Sequence, residues 1–429
     1  MTTSDELKAG VATRDISPPR PQLLKPTGMA RLVPTRGVLD PLRVEALAFE
    51  AGGRLAFLTG SDTRTLPYDW VLRIREGVAA RTGCDPLCVL LTGVHNHCSN
   101  PEAADDSPEA LGAFEEASDR MVAGFIDACV EAAERRAPAE IAAATATLTK
   151  PVGENRRFRL GNGTCVNTWG SGPAIPPGMK AVGAPGPHSR RVDILAVRRV
   201  GETRPFAVFN SYPSHPHLYA LPYFSGEFPG AVKRRFERLM PGTTFSQASA
   251  TGGDIDLHCI HPLPDYHADR VRWFQESAQL LATRFTDDVM PAIPTDGYTR
   301  PDRLHHVYWS TEDEMLPGSR RVVILNAIAL GQIAMVSMPG EIFLALGQEI
   351  LTRSPFAYTI LGGYNGSARG YVPLPIGFEQ GSYETMRGPC LSHEEEARPG
   401  RGDVRANEQT GAEIVGELIG ILGELHAQQ

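Results

Sequence analysis

The chain has 429 residues, with 42 Lys and Arg against 50 Asp and Glu, a formal net charge of −8. So mild an acidity gives no general attraction to nucleic acid or to an anionic membrane surface. Hydrophobic residues at 42% and charged residues at 21% exclude a mostly disordered chain and supply a sizeable core.

Residues 8 to 12 predict a strand that runs through Thr13 and Arg14 into a turn at Asp15 to Pro19. Residues 43 to 50 and 54 to 60 read as two strands joined at Gly52 and Gly53. Residues 69 to 80 predict a helix with Val71, Leu72, Ile74 and Val78 on its apolar side. The apolar run Cys88 to Leu91 predicts a buried strand, which completes a strand, helix, strand unit. Helical spacing returns over 111 to 135, and 139 to 149 reads as a strand. Residues 150 to 190 are rich in Gly, Pro, Asn and Arg, with poor periodicity. They predict a long ordered excursion that walls a site and carries Arg156 inward. Strands follow at 191 to 199 and 204 to 210, then helices at 228 to 239, opened by Pro229, and within 264 to 286. Apolar strands at 320 to 326 and 331 to 337 precede a closing amphipathic helix at 407 to 425. No linker or repeat divides the chain. The expectation is one large α/β domain over 1–429, with mixed sheets flanked by helices.

The opening MTTSDELKAG shows no basic and apolar leader, and no run is apolar enough to span a membrane. A cytoplasmic protein acting on a small molecule, without nucleic acid and without stable membrane insertion, is expected. The seven cysteines are an odd and unpatterned set. Cys84 and Cys88 lack a partnering pair, so neither a disulfide framework nor a zinc knuckle is expected.

Two segments place His-x-His directly after an apolar strand: Thr92-Gly93-Val94-His95-Asn96-His97 and Ser211-Tyr212-Pro213-Ser214-His215-Pro216-His217. Binding residues of α/β proteins collect at the carboxyl ends of strands. In an extended chain, residues two apart share a face, so two imidazoles there can share a metal. Together the segments offer three or four nitrogen donors, enough for zinc with an open position. Pro216 constrains its surroundings and leaves the direction of His217 open. Glu341, in Pro339-Gly340-Glu341 after an apolar run, is a carboxylate candidate, as is Asp254 in Gly252-Gly253-Asp254. A plain turn competes for Glu341, and a turn or helix cap for Asp254. Walker spacing, HExxH and GxSxG are absent.

In this order the residues resemble the neutral/alkaline ceramidase superfamily, in its N-terminal catalytic domain and the shorter bacterial proteins related to it. The matching stretches run from Gly10-Val11-Ala12 and Asp15 to Pro19 through Asp40-Pro41-Leu42, Thr92 to His97, Asn155-Arg156 and Asn210 to His215. They continue through Ser225 to Gly230, Gly252-Gly253-Asp254, Pro339-Gly340-Glu341, Gly370 to Pro373 and Gly381 to Glu384. The resemblance implies a ceramidase-like fold and a single Zn2+ held by His95, His215, Glu341 and Tyr371. It implies that His97 manages the proton and that Asn155 and Arg156 lie near the substrate carbonyl. His217 and Tyr364 join Asn155 among the expected substrate contacts.

The activity implied is a zinc-dependent hydrolase that cleaves the amide bond of a small or medium N-acyl compound through a zinc-activated water. Arg156 or Tyr371 would steady the developing oxygen charge. An esterase or lactonase, a true ceramidase and a non-catalytic ligand-binding relative are the alternatives. Asn96, Asn155, Arg156, Asn162, His217 and Tyr219 favour a short or polar acyl group, whereas Leu218, Leu221 and Phe224 would suit an acyl groove.

Overall fold

Alternate residues of the strand Arg43–Ala51 enter different cores. Val44, Ala46 and Ala48 pack against helices, while Leu47, Phe49 and Ala51 meet a second sheet. Successive strand side chains point to opposite faces, so a strand buried on both sides must be apolar at both sets of positions. The same split recurs in Arg191–Arg199, where Ile194 and Ala196 face helices and Leu195 and Val197 face the second sheet. In Ile333–Ser337, Ile333 and Met335 turn inward and Ala334 and Val336 outward.

The computed structural model describes residues 6–27, 35–167, 175, 178–183, 186–218, 221–257, 267–316, 319–366, 370–385 and 407–429. An eight-stranded sheet runs in the order Thr244–Ala248, Pro205–Ser211, Arg191–Arg199, Ala137–Thr147, Lys8–Asp15, Arg43–Ala51, Arg54–Ser61, Val89–Leu90. Its interior pairings are antiparallel and its two edge pairings parallel. The parallel pair of Arg54–Ser61 and Val89–Leu90 is bridged by the helix Tyr68–Thr82, as its sequence pattern predicts. A four-stranded sheet runs Leu304–Leu316, Ser319–Leu330, Ile333–Ser337, Tyr358–Gly362.

The helices Tyr68–Thr82 and Pro108–Glu134 cover one half of the large sheet's outer face. Glu227–Leu239 and His267–Val289 cover the other half. Leu344–Arg353 and Thr410–Ala427 back the small sheet. The result is one α/β domain of four layers, with mixed sheets inside and helices outside.

Leu72 departs from the expected apolar side of its helix and is 40% exposed. The buried stripe is Trp70, Val71, Ile74 and Val78, and a residue two positions from Trp70 and Ile74 lies across the helix from them. The strands Leu304–Leu316 and Tyr358–Gly362 add to those the sequence pattern suggests. Within 150 to 190, Gly153–Asn155 pairs with Ile255–Leu257, and Arg157–Arg159 pairs with Cys165–Asn167. Among the described residues no helix is long and apolar enough to cross a membrane.

Candidate metal centre

The loops that follow several strands are tied to one another through their backbones. The Gly93 amide donates to the Gly363 carbonyl at 3.2 Å, the Gly363 amide to Ser249 at 2.8 Å, and the Ser249 amide back to Gly93 at 3.0 Å. His97 N donates to Pro216 O at 3.1 Å, and His215 N to Ile255 O at 2.8 Å. Gly253 N donates to Ile342 O at 3.0 Å, and a Cβ on Gly253 would run into the backbone of Glu341. The glycines at 252 and 253 therefore serve close packing of loops. Gly340, at φ 77°, makes the left-handed turn that delivers Glu341.

His95, His97 and His215 each present a ring nitrogen within 4.8 Å of the others. The His95 and His97 rings meet at 4.9 Å, though not by strand alternation: His95 has φ 62°, a conformation uncommon for any residue but glycine. His95 Nδ1 bonds the Arg64 carbonyl at 2.9 Å, which turns Nε2 toward Glu341 Oε2 at 3.2 Å. His215 Nδ1 lies 3.7 Å from the same oxygen. His215 Nε2 lies 2.9 Å from His97 Nε2. His95 Nε2, His215 Nδ1 and Glu341 Oε2 are buried, and none makes a well-formed hydrogen bond among the described residues.

Burial pulls His95 below the ordinary imidazole value, against the opposing pull of Glu341. Burial and the surrounding Arg64, Arg156 and imidazole groups press His97 and His215 well below it. Burial would raise the Glu341 carboxyl, but His95, Arg64 and Arg156 outweigh it and hold it down to about 2. Two neutral imidazoles and one carboxylate, converging without other partners among the described residues, suit a borderline divalent ion such as zinc.

Two tyrosines flank the cluster. Tyr371 is the register partner of Glu341 in a two-residue parallel ladder, with its ring parallel to His215 at 6.5 Å. Tyr364, at φ 62°, stacks on His95 at 4.2 Å. The outer edge holds His97, His217 and Glu341, whose side chain is 12% exposed. His217 turns toward the cluster, 4.9 Å from the His215 ring, and its Nε2 is 3.2 Å from Asp256 Oδ1. Burial would lower the His217 imidazole, but Asp256 outweighs it and raises it.

Arg156 is fully buried. Its Nε donates to Glu384 at 2.8 Å, one terminal nitrogen to Asp256 at 3.0 Å, and the other to the Gly253 carbonyl at 2.8 Å. Asn155 Nδ2 donates to Asp254 Oδ2 at 2.6 Å, and its Oδ1 accepts from Arg157 N at 3.0 Å. Asp254 Oδ1 accepts from Leu344 N at 2.8 Å, so it fastens the first turn of the helix Leu344–Arg353 from another segment, while Phe343 is that helix's N-cap. Leu218 and Leu221 belong to one core and Phe224 to another, so an acyl groove is not what buries them. Asn96 bonds the Ser225 carbonyl and the Cys98 amide, Cys98 is buried, and Asn162 is exposed. Tyr219, Cys259 and Cys390 lie outside the described residues.

Arg64 is absent from the sequence-derived candidates, although its carbonyl orients His95. It follows the strand Arg54–Ser61, so the strand-end criterion that selects His95 would also have selected it. Asp256, between His217 and Arg156, emerges only from the folded arrangement.

The chain shares its fold with ceramidases of known structure. Neutral ceramidase from Pseudomonas aeruginosa matches with a TM-score of 0.75 and 12% identity, over 99% of this chain and 75% of that one. A ceramidase complexed with C2 matches with a TM-score of 0.74 and 12% identity, over 99% and 76%. No protein-family model matches the chain, and no curated protein matches it.

Proposed function

We propose that this chain is a zinc-dependent hydrolase that cleaves the amide bond of a small or medium N-acyl compound. The observation that carries this reading is the convergence of His95 Nε2, His215 Nδ1 and Glu341 Oε2, three buried atoms without other partners among the described residues. In this reading they hold the ion, and Tyr371 completes the set from beside Glu341. Bound there, zinc supplies Lewis acidity toward a carbonyl oxygen and acidifies water.

The remaining steps belong to the chain's own residues. His97 stands at the outer edge with its Nε2 against His215. In this reading His97 takes the proton lost in the attack and returns it to the leaving amine. His217, held by Asp256, and Tyr364, stacked on His95, border the space for the substrate. Arg156 and Asn155 are positioning residues, because their donors are turned to Glu384, Asp256, Gly253 and Asp254. The polar edge of His97, His217 and Glu341 favours a short or polar acyl group over a long chain.

The test is metal analysis with a hydrolysis screen of zinc-loaded protein. Amine release is followed from N-acyl amines, N-acyl amino acids, lactams and short- and long-chain ceramides. Acid release is followed from esters and lactones. Stoichiometric zinc with turnover of small amides is expected. Turnover of esters alone moves the enzyme to another hydrolase class, and turnover of long-chain ceramide alone overturns the substrate assignment.

A further inference from the structure

A second group of ligating side chains lies at the other end of the strand that leads to His95. The turn Pro86–Cys88 is a 3-10 helix capped by Asp85, whose Oδ1 accepts from Leu87 N at 2.8 Å. Residues three apart eclipse in such a helix, so Asp85 and Cys88 share a side. His306 reaches the same place from Leu304–Leu316 in the other sheet. Asp85, Cys88 and His306 each offer one ligand atom, all within 4.8 Å of one another. His306 Nε2 is buried and has no hydrogen-bond partner among the described residues. The ring stacks on Tyr308 at 5.9 Å, and Asn326 Nδ2 ties the turn to the second sheet through the Leu87 carbonyl at 2.7 Å. The three side chains line a surface cavity of about 870 Å³, together with Arg54 and Glu424.

We propose that Asp85, Cys88 and His306 form a second metal site, which takes a zinc-like divalent ion and clips the 84–88 turn to the second sheet. A thiolate, an imidazole and a carboxylate are the mixed donor set that borderline first-row ions prefer. The thiolate and carboxylate together neutralise a divalent charge, which the nearby Arg54 cation requires. The cavity leaves a fourth position for water. Cys84 lines the same cavity, and its side chain also packs in the core beneath the first helices, but the ligand atoms that converge are those of Asp85, Cys88 and His306. Cys88 precedes His95 by seven residues, and a strand lies between them, so the site is separate from the His95 centre.

Cobalt(II) titration of metal-stripped protein tests the proposal, because thiolate coordination gives a near-ultraviolet charge-transfer band. The wild type is expected to show that band at one equivalent of thiolate-bound cobalt. Cys88→Ser and His306→Gln should lose it, while a His95→Ala/His215→Ala variant should keep it. Asp85 is exposed, so Asp85→Asn leaves the core intact and should weaken the band-forming site at least tenfold. Wild-type protein without the band, or a band that survives in folded Cys88→Ser, overturns the proposal. If Cys88→Ser does not fold, an unchanged cobalt affinity in both Asp85→Asn and His306→Gln overturns it equally.

Discussion

Glu341 and Tyr371 stand opposite each other across a parallel ladder, with Glu341 N donating to Gly370 O at 2.8 Å. Register partners in a ladder send their side chains to the same face. The two residues are thirty positions apart in the chain, yet they leave the backbone side by side above His215.

If both residues hold the ion, their removal should weaken metal binding unequally. Glu341→Gln takes away the carboxylate charge that converges with the two imidazoles and should abolish stoichiometric zinc. Tyr371→Phe should weaken it by about tenfold or more. Competition against a chelator of known affinity measures both, and wild-type affinity in Tyr371→Phe would remove the tyrosine from the set.

His97→Ala distinguishes a proton carrier from a ligand. With its Nε2 on His215, His97 should be dispensable for most of the bound metal and indispensable for turnover. A fall in kcat of about 100-fold or more is expected at near-stoichiometric zinc. Loss of that zinc would place His97 in the ligand set with His95 and His215.

Arg156→Ala should unfold the region before it reports on chemistry. The change removes one buried cation from Glu384 and Asp256, which keep Arg157 and His217, and breaking such a buried pair costs up to about 3–5 kcal/mol. Arg159, exposed on the same excursion, should cost less than about 0.5 kcal/mol as Ala. Urea midpoints of the two variants separate these outcomes.

Glu227 gives a pH dependence of definite sign. Burial raises its carboxyl to about 7 from 4.5, despite the bond it accepts from the Leu218 amide. A raised carboxyl binds its proton more tightly when folded, so the wild type loses stability as pH climbs from 4.5 to about 7. Glu227→Gln carries no such charge and should gain on the wild type across that window, by about 3 kcal/mol at its upper end. Denaturation of both proteins at pH 5 and pH 8 checks it: a constant difference would show that Glu227 does not titrate there.

Much of the frame was legible because strands buried on one or both faces and long amphipathic helices imprint their period on the chain. His95 and His215 stood out for a local reason, an imidazole directly after an apolar run. The strand Leu304–Leu316 was harder to see, because polar residues such as Glu312, Asp313 and Glu314 interrupt its apolar pattern. The choice between sheets was also hidden, since it depends on which face of each strand meets which core. Asn155 and Arg156 were found as candidates but not in their orientation. Their partners Asp254, Asp256 and Glu384 lie about 100 and 228 positions away, and no local pattern encodes such distances. The left-handed turn at His95 was likewise invisible, because it depends on the Arg64 carbonyl and the loops packed around it.

The closed circuit of amide bonds through Gly93, Ser249 and Gly363 ties the order of events in folding to the assembly of the candidate metal centre. Its three members come from well-separated parts of the chain, so none of the three bonds closes early by local collapse. His95 lies two residues from one member and Tyr364 directly after another, and both take their left-handed turns beside it. A nascent or truncated chain therefore carries every ligand-type side chain up to its length while lacking the geometry to use them. If the centre holds zinc as proposed, its tight uptake during refolding should trail the burial of the sheets, and its rate marks the last stage of assembly.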